Sequence, residues 1–103
     1  MAICLTIDHP DETMQQAQQV IAHVRTSGPI PPEGARLVMG GSLGPGWRVI
    51  TVWDSQQALD RFLAERLPAA YDEAGLSLDD VTRTQFEVYA MVAGDLTGVP
   101  QPA

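Results

Sequence analysis

The sequence predicts an α+β fold in which two helices cover one face of a four-stranded antiparallel sheet. Apolar side chains alternate with others in four short segments, which is typical of β-strands. They recur every three or four residues in two longer segments, which is typical of amphipathic helices. The order along the chain is strand, helix, strand, strand, helix, strand. With 103 residues and 45% hydrophobic side chains, the chain has the material for one domain with its own core.

The first part of the chain predicts a strand followed by a helix. Residues 2–8 alternate large aliphatic side chains with small ones, so one face of this strand is strongly apolar. The helix begins after Asp11 or Thr13, since either residue suits an N-cap position. Residues 27–29, Ser-Gly-Pro, end it. Its apolar stripe consists of Met14, Ala17, Val20, Ile21 and Val24.

The central part predicts a β-hairpin. Residues 35–39 and 47–54 are rich in β-branched, aliphatic and aromatic side chains and predict the second and third strands. Between them, residues 40–46 include four glycines. This stretch lacks the Lys-Ser/Thr pair of a P-loop, and no helix follows it. We therefore expect a flexible hairpin that lids a pocket, not a phosphate-binding loop.

The last part predicts a second helix and a fourth strand. Residues 56–71 have an apolar helical stripe, which Pro68 kinks or divides. Residues 83–92 alternate as a strand does. We expect residues 1–93 to form the domain, and residues 94–103, with two prolines and two glycines, to form a flexible tail.

These elements predict a ferredoxin-like sandwich, because right-handed crossovers place both helices on one face of the sheet, with strand order 4-1-3-2. By side-chain type, the residues expected under the helices are Ile3, Leu5, Ile7, Ile50, Val52, Phe86, Val88 and Ala90. Alternation then assigns to the opposite face Cys4, Thr6, Val49, Thr51, Trp53, Glu87, Tyr89 and Met91. That face is too apolar to meet water, so we expect a second subunit or a ligand to cover it. A one-residue bulge would invert part of this assignment.

Composition excludes several partners. The formal net charge is −7, from 13 acidic and 6 basic residues, which argues against nucleic acid and anionic membrane surfaces. No apolar run approaches the roughly 20 residues of a membrane span, and the N-terminus lacks a basic signal region. Cys4 is the only cysteine, so no internal disulfide is expected. These features predict a cytoplasmic protein.

One segment carries a family resemblance. Residues 46–75, GWRVITVWDSQQALDRFLAERLPAAYDEAG, are similar to small antibiotic-biosynthesis-monooxygenase-like proteins of the dimeric α/β-barrel superfamily. The shared features are Gly46-Trp47-Arg48, Trp53-Asp54-Ser55, the stripe of Ala58, Leu59 and Phe62, residues 65–69, and an aromatic near the end of the last strand, Tyr89. The resemblance covers residues 2–93. It implies a homodimer in which two sheets face each other and close a barrel-like interior. It also implies a pocket in each protomer, either between its sheet and helices or along the dimer interface.

The same superfamily includes cofactor-independent oxygenases, haem-degrading enzymes, isomerases and cyclases, so the fold alone does not select a reaction. The haem-degrading enzymes place an axial histidine on the second helix and an asparagine on a strand. This chain has no asparagine and no histidine within residues 56–75, which excludes that activity. His9, His23 and Cys4 lack metal-ligand spacing, so we expect no metal and no cofactor.

Cofactor-free oxygenation needs a base, a hydrogen-bond donor for the developing oxyanion, and a dry aromatic-lined cavity. We predict Glu87 or His9 as the base and Tyr89 or Arg66 as the donor, with Tyr89, Glu87 and His9 catalytic. The predicted substrate-binding residues are Trp53, Thr51, Thr6, Met91 and Arg66. The structural alternatives are that His9 is a turn residue, that Trp53 and Tyr89 fill a dimer interface, and that Tyr71 and Phe62 belong to the core.

Two functions follow as hypotheses. The first is a small cofactor-independent enzyme of secondary metabolism that acts on a hydrophobic or aromatic, polyketide-like intermediate. It would work by oxygenation, or by cyclisation or isomerisation, in a cleft on the non-helical side of the sheet. The alternative is a non-catalytic homodimer that binds a small hydrophobic molecule or stabilises a partner enzyme.

Overall fold

The computed structural model describes residues 1–10 and 13–95, and its elements follow the predicted order. Most of the predicted tail, residues 96–103, lies outside the described residues. The elements are β1 (Ile3–His9), α1 (Met14–Ser27), β2 (Ala35–Leu43), β3 (Gly46–Trp53), α2 (Gln56–Glu65), α3 (Leu67–Ala74), a 3-10 turn (Leu78–Asp80) and β4 (Thr82–Glu87).

The four strands form one antiparallel sheet in the order β2-β3-β1-β4, as predicted. The central strand β1 pairs on both sides, and Leu5 lies between Thr51 of β3 and Gln85 of β4. The ferredoxin-like α+β prediction is confirmed. No described helix is both long and apolar enough to cross a membrane.

Local chemistry explains where the helices begin and end. The Thr13 hydroxyl accepts a hydrogen bond from the Gln16 backbone N–H at 3.1 Å, and the Gln16 side chain accepts one from the Thr13 N–H, which forms a capping box. Asp11, the other predicted cap, lies outside the described residues. Pro68 falls in the first turn of α3, so the predicted division of the second helix occurs at Arg66.

The glycine-rich stretch forms mostly strand, which corrects the prediction that it is a flexible lid. Gly40 and Gly41 continue β2, and Leu43 pairs with Gly46, so the turn itself is only Gly44-Pro45. Gly44 has φ of +58°, the left-handed conformation that a two-residue hairpin turn requires at its first position. The hairpin is therefore longer and tighter than its composition suggests.

The register of β3 corrects its predicted faces. Residues directly opposite each other in an antiparallel pair share a face, and Ile3 and Leu5 lie opposite Trp53 and Thr51. Because Ile3 and Leu5 belong to the core beneath the helices, Trp53 and Thr51 lie on the helix side as well. The predicted core positions Ile50 and Val52 lie on the other side of the sheet, called here the open face.

The same correction applies to β4. Glu87 lies opposite Ile3, and Phe86 lies opposite Cys4, so Phe86 is on the open face and Glu87 on the helix side. The strand ends at Glu87, five residues earlier than predicted at Val92. The later residues of the predicted strand, Val88 to Val92, therefore have no strand alternation in this structure.

Candidate functional site

A cavity of about 120 Å³ lies between the helices and the helix side of the sheet. Aliphatic side chains from β1, β2, β3 and all three helices form most of its wall. Three aromatic side chains, Trp47, Trp53 and Phe62, add to this apolar lining. The polar side chains that border the cavity are His9, Thr51 and Tyr71.

His9 and Tyr71 form a polar pair in this wall. His9 is 4% exposed and Tyr71 3%, and the Tyr71 hydroxyl shares a hydrogen bond with His9 Nε2. The two ring centres lie 5.5 Å apart. An imidazole nitrogen can accept a proton and a phenol can pass one on, so this pair is able to perform acid-base chemistry in a water-poor site.

Sequence periodicity places both members of the pair. His9 is the last residue of β1 and shares the period-two face of Leu5 and Ile7. Tyr71 belongs to the inner face of α3, whose buried residues recur at helical spacing: Leu67, Ala70, Tyr71 and Ala74. The pair therefore joins the end of the central strand to the middle of α3.

Gly46 holds the start of β3 against the end of β1. A Cβ at this position would lie 2.2 Å from the His9 carbonyl oxygen and 2.8 Å from the Pro10 carbonyl carbon. Real Cβ atoms do not approach so closely, so only glycine allows the two backbones to meet here. Gly46 thus fixes the backbone that carries His9.

Thr51 and Trp53 form a second hydrogen-bonded group in the wall. The Trp53 indole N–H donates to Thr51 Oγ1 at 2.8 Å, and the Thr51 hydroxyl donates to the Leu5 carbonyl at 3.2 Å. The Trp53 ring packs against Phe62 with centroids 5.0 Å apart. The indole therefore contributes an apolar surface to the cavity, with its N–H already bonded to Thr51.

The structure brings three of the predicted site residues together, namely His9, Thr51 and Trp53. Thr6 is half-buried on the opposite side of the sheet, between Ile50 and Thr84. The cavity that these residues border lies on the helical side of the sheet, where the family resemblance implies a pocket, and not on the non-helical side that strand alternation predicts.

Arg66 is bound to backbone near the end of α1. Its two terminal nitrogens donate to the Val24 carbonyl at 2.6 Å and the Pro29 carbonyl at 2.8 Å. The guanidinium carbon lies 5.8 Å from the centre of the Phe62 ring. Arg66 borders a separate small cavity with Pro29 and Phe62 and is not among the residues lining the main one.

Tyr89, Glu87 and Met91 lie away from the cavity. Tyr89 is fully exposed two residues after the end of β4, and Glu87 and Met91 are exposed too. The prediction that Trp53 shares the non-helical face with Tyr89 is therefore wrong, because Trp53 is buried under the helices. The catalytic roles of Tyr89 and Glu87 stay predictions.

Tyr71 is the residue that sequence reasoning missed, because its position in an apolar helical stripe assigned it to the core. The signal that could have found it is its hydroxyl, since a buried phenol needs a hydrogen-bond partner. The partner is His9, which the sequence did select. His23, in contrast, forms a hydrogen bond with the Glu73 carboxylate on the outside of α1 and α3.

Asp8 and Arg48 form an ion pair between β1 and β3, on the open face of the sheet. Arg48 Nε donates to one carboxylate oxygen of Asp8 at 2.6 Å, and its terminal nitrogen donates to the other at 3.0 Å. These hydrogen bonds from the Arg48 guanidinium lower the pKa of Asp8 below its usual 3.8. Within residues 1–10 and 13–95, no group of three His, Cys, Asp or Glu side chains is placed to hold a metal ion.

No protein-family model matches the sequence, and no curated protein is similar to it. Solved structures are similar over most of the chain. A candidate antibiotic biosynthesis monooxygenase from Chloroflexus aurantiacus has a TM-score of 0.67 at 10% identity, and the match covers 90% of this chain and 98% of that one. A second from Deinococcus radiodurans has a TM-score of 0.59 at 20% identity, covering 92% and 99%.

The third similar structure is a variant of SnoaB, a cofactor-independent oxygenase from Streptomyces nogalater. Its TM-score is 0.58 at 15% identity, covering 90% of this chain and 97% of that one. At such identities the likeness shows the fold and does not show the reaction. The chain has the fold of the antibiotic biosynthesis monooxygenase-like proteins.

Proposed function

We propose that this protein is a small cofactor-independent enzyme of secondary metabolism that oxygenates a hydrophobic aromatic compound in the cavity beneath its helices. The observation that carries the proposal is the buried His9–Tyr71 pair in an otherwise apolar cavity. The fold that the chain shares with SnoaB, a cofactor-independent oxygenase, supports the reaction class. Cyclisation or isomerisation of the same compound would use the same acid-base pair.

The pair supports a proton relay. In the tautomer that has its proton on Nδ1, His9 Nε2 accepts a hydrogen bond from the Tyr71 hydroxyl. A substrate hydroxyl that donates to the Tyr71 oxygen can then lose its proton to Tyr71 while Tyr71 passes its own proton to His9. The resulting imidazolium stabilises the substrate oxyanion, and the apolar walls strengthen that attraction by excluding water.

The oxygenation then balances without an added reductant. A phenolate reacts with dioxygen to form a carbon–oxygen bond at the ring, and the peroxide takes back the proton that the pair holds. Loss of the ring C–H proton and cleavage of the O–O bond give a quinone and water. One oxygen atom enters the product, the other enters water, and the phenol supplies all four electrons.

We also propose that the protein is a homodimer in which two open faces meet. Phe86 and Met39 lie on this face and are 56% and 51% exposed, and Ile50 and Leu37 lie beside them, half-buried. A neighbouring group of apolar side chains on a sheet is normally covered by a partner. The dimer would leave the cavity, on the opposite side of each sheet, accessible.

The size of the cavity favours one alternative, in which the protein is a non-catalytic dimer that binds a small hydrophobic molecule. Ligand clefts commonly measure about 300–1,000 Å³, whereas this cavity is about 120 Å³. In that case the His9–Tyr71 pair would serve only to satisfy two buried polar groups. Turnover separates the two functions.

The experiment is oxygen uptake by the purified protein with phenols of one, two and three rings, followed by mass spectrometry of products made under ¹⁸O₂. We expect incorporation of one labelled oxygen, and its loss in Tyr71→Phe. The matched control is Tyr89→Phe, which removes a fully exposed phenol. No uptake with any phenol, or equal activity in Tyr71→Phe, would overturn the proposal.

A further inference from the structure

We infer that the cavity is specific for a neutral, single-ring phenol or enol, and that it rejects anionic compounds and fused polycyclic ones. This inference rests on the proposed function, because it takes the cavity as the substrate site. It adds the size, the charge and the orientation of the substrate. Each of the three comes from a different feature of the wall.

The size of the substrate follows from the volume of the cavity. The cavity measures about 120 Å³, and an apolar protein cavity of about 150 Å³ holds one benzene molecule. A single six-membered ring is therefore about the largest group that this space accommodates. A second fused ring would have to displace wall residues such as Trp53 and Leu67, which are buried in the core and packed at the density of a protein interior.

Contacts on the outside of the helices oppose expansion. The Gln16 side chain donates to the Ala74 carbonyl at 3.3 Å, and His23 pairs with Glu73, so α1 is bound to α3 at two points. Arg66 adds a third contact, through its bond to the Val24 carbonyl at 2.6 Å. These contacts lie along much of α1, so a larger ligand would have to break several of them to lift the helix.

The charge of the substrate follows from the residues that line the cavity wall. None of the described residues that border the cavity is an arginine, a lysine, an aspartate or a glutamate. A carboxylate or phosphate brought into this space would lose its hydration, and the described wall supplies no permanently charged partner for it, which is strongly unfavourable. The formal net charge of −7 adds a general repulsion of anions.

Orientation comes from the position of the polar side chains. The hydroxyl of Thr51 donates to the Leu5 carbonyl and accepts from Trp53. His9 and Tyr71 are the titratable side chains in the wall, and they lie together. A ligand with one hydroxyl can place it against this pair and its ring against the aliphatic and aromatic remainder.

The test is binding without turnover, measured by titrations of the ¹⁵N-labelled wild-type protein under nitrogen. The probes are phenol, benzene, benzoate and 1-naphthol. We expect phenol to bind about 5-fold more tightly than benzene, since it adds one hydrogen bond. Benzoate should bind at least about 100-fold more weakly than phenol, because it brings a charge but no proton from which the His9–Tyr71 pair could form a balancing imidazolium. 1-Naphthol should bind more weakly than phenol, although it is more hydrophobic.

The variant Tyr71→Phe should reduce the preference for phenol over benzene to about 2-fold or less and leave the affinity for benzene unchanged. The control Arg61→Gln, at an exposed position on α2 outside the cavity wall, should leave both unchanged. Tighter binding of 1-naphthol or benzoate than of phenol, or no binding of any single-ring probe, would overturn the inference. Because binding is measured without oxygen, the two proposals can fail separately. Binding of phenol without oxygen uptake contradicts the proposed function alone, and oxidation of three-ring phenols only contradicts this inference alone.

Discussion

The Tyr71 hydroxyl and His9 Nε2 share a hydrogen bond in the protein interior, although 62 residues separate them in the chain. One residue ends the central strand, and the other lies on α3, so the contact exists only in the folded protein. Its surroundings are mostly aliphatic and aromatic, which makes it the strongest polar feature of the cavity wall. The stability of the fold and the proposed chemistry both depend on this contact.

Tyr71→Phe separates these two contributions. The change keeps the ring and removes one buried hydrogen bond, so we expect the free energy of unfolding to fall by about 1–2 kcal/mol. If the pair relays a proton, turnover should fall by at least about 100-fold. Urea denaturation and oxygen uptake measure the two effects, with Tyr89→Phe as the matched control because Tyr89 is fully exposed. A larger loss of activity in Tyr89→Phe than in Tyr71→Phe would support the catalytic role of Tyr89 that the sequence predicts.

Gly46→Ala tests whether the close approach of two backbones positions His9. The added Cβ would lie 2.2 Å from the His9 carbonyl oxygen, so the strand ends must separate. We expect a loss of about 3 kcal/mol in the free energy of unfolding. The matched control is Gly41→Ala, since no heavy atom lies within 4 Å of a Cβ there. We expect the control to change stability by less than about 0.5 kcal/mol, and equal effects of the two changes would contradict this account.

The order of the elements could be predicted because each has a clear period and a clear boundary. Thr13 and Gln16 form a capping box, and Pro68 divides the second helix, and both signals are local. The faces of β3 could not be predicted in the same way. Val49, Ile50, Thr51, Val52 and Trp53 are apolar or nearly so on both faces, so alternation gives no contrast. The register with β1 decides the question, and register is a property of the sheet as a whole.

The site could be predicted only in part, for a related reason. His9 could be predicted as a site residue because it lies at the end of a strand. Its face is fixed by the same alternation that places Leu5 and Ile7. Tyr71 could not be paired with it, because no local signal connects the end of β1 with α3. The sequence pattern predicts Tyr89 within the last strand, yet β4 ends at Glu87 and the Tyr89 side chain is exposed to solvent. Periodicity predicts the face on which a residue lies, but it does not predict which residues of distant elements come into contact.

The Asp8–Arg48 pair predicts how stability changes with pH. Hydrogen bonds from Arg48 lower the pKa of Asp8 below 3.8, so the ionised carboxylate is favoured in the folded state. The pair therefore stabilises the fold above about pH 4, and this contribution is lost as the pH falls through the lowered pKa. Urea denaturation of the wild type, Asp8→Asn, Arg48→Gln and the double variant forms a double-mutant cycle. We expect a favourable coupling at pH 6 that shrinks as the pH falls below 3.8, and a coupling that is constant with pH would contradict the assignment.

Arg66→Gln tests whether this arginine has a structural role. It donates to the Val24 and Pro29 carbonyls near the end of α1, so the change should lower the free energy of unfolding by about 1–3 kcal/mol. Arg61→Gln is the matched control on α2, where the arginine lies 3.7 Å from Glu33 in an exposed ion pair worth about 0–1 kcal/mol. The KM of Arg66→Gln should equal that of the wild type. An increased KM with unchanged stability would support the role in substrate binding that the sequence predicted.

Phe86→Asp tests the proposed homodimer. Phe86 is 56% exposed and lies opposite Cys4 on the open face, so a charge there would face the partner's apolar sheet without compensation. Light scattering of the wild type should give twice the mass of the chain, and the variant should give the mass of one chain. The control is Gln18→Asp, a charge of the same size at an exposed position on α1, on the helix side of the sheet. If both variants remain dimers, or if the wild type is a monomer at micromolar concentration, the two open faces do not meet.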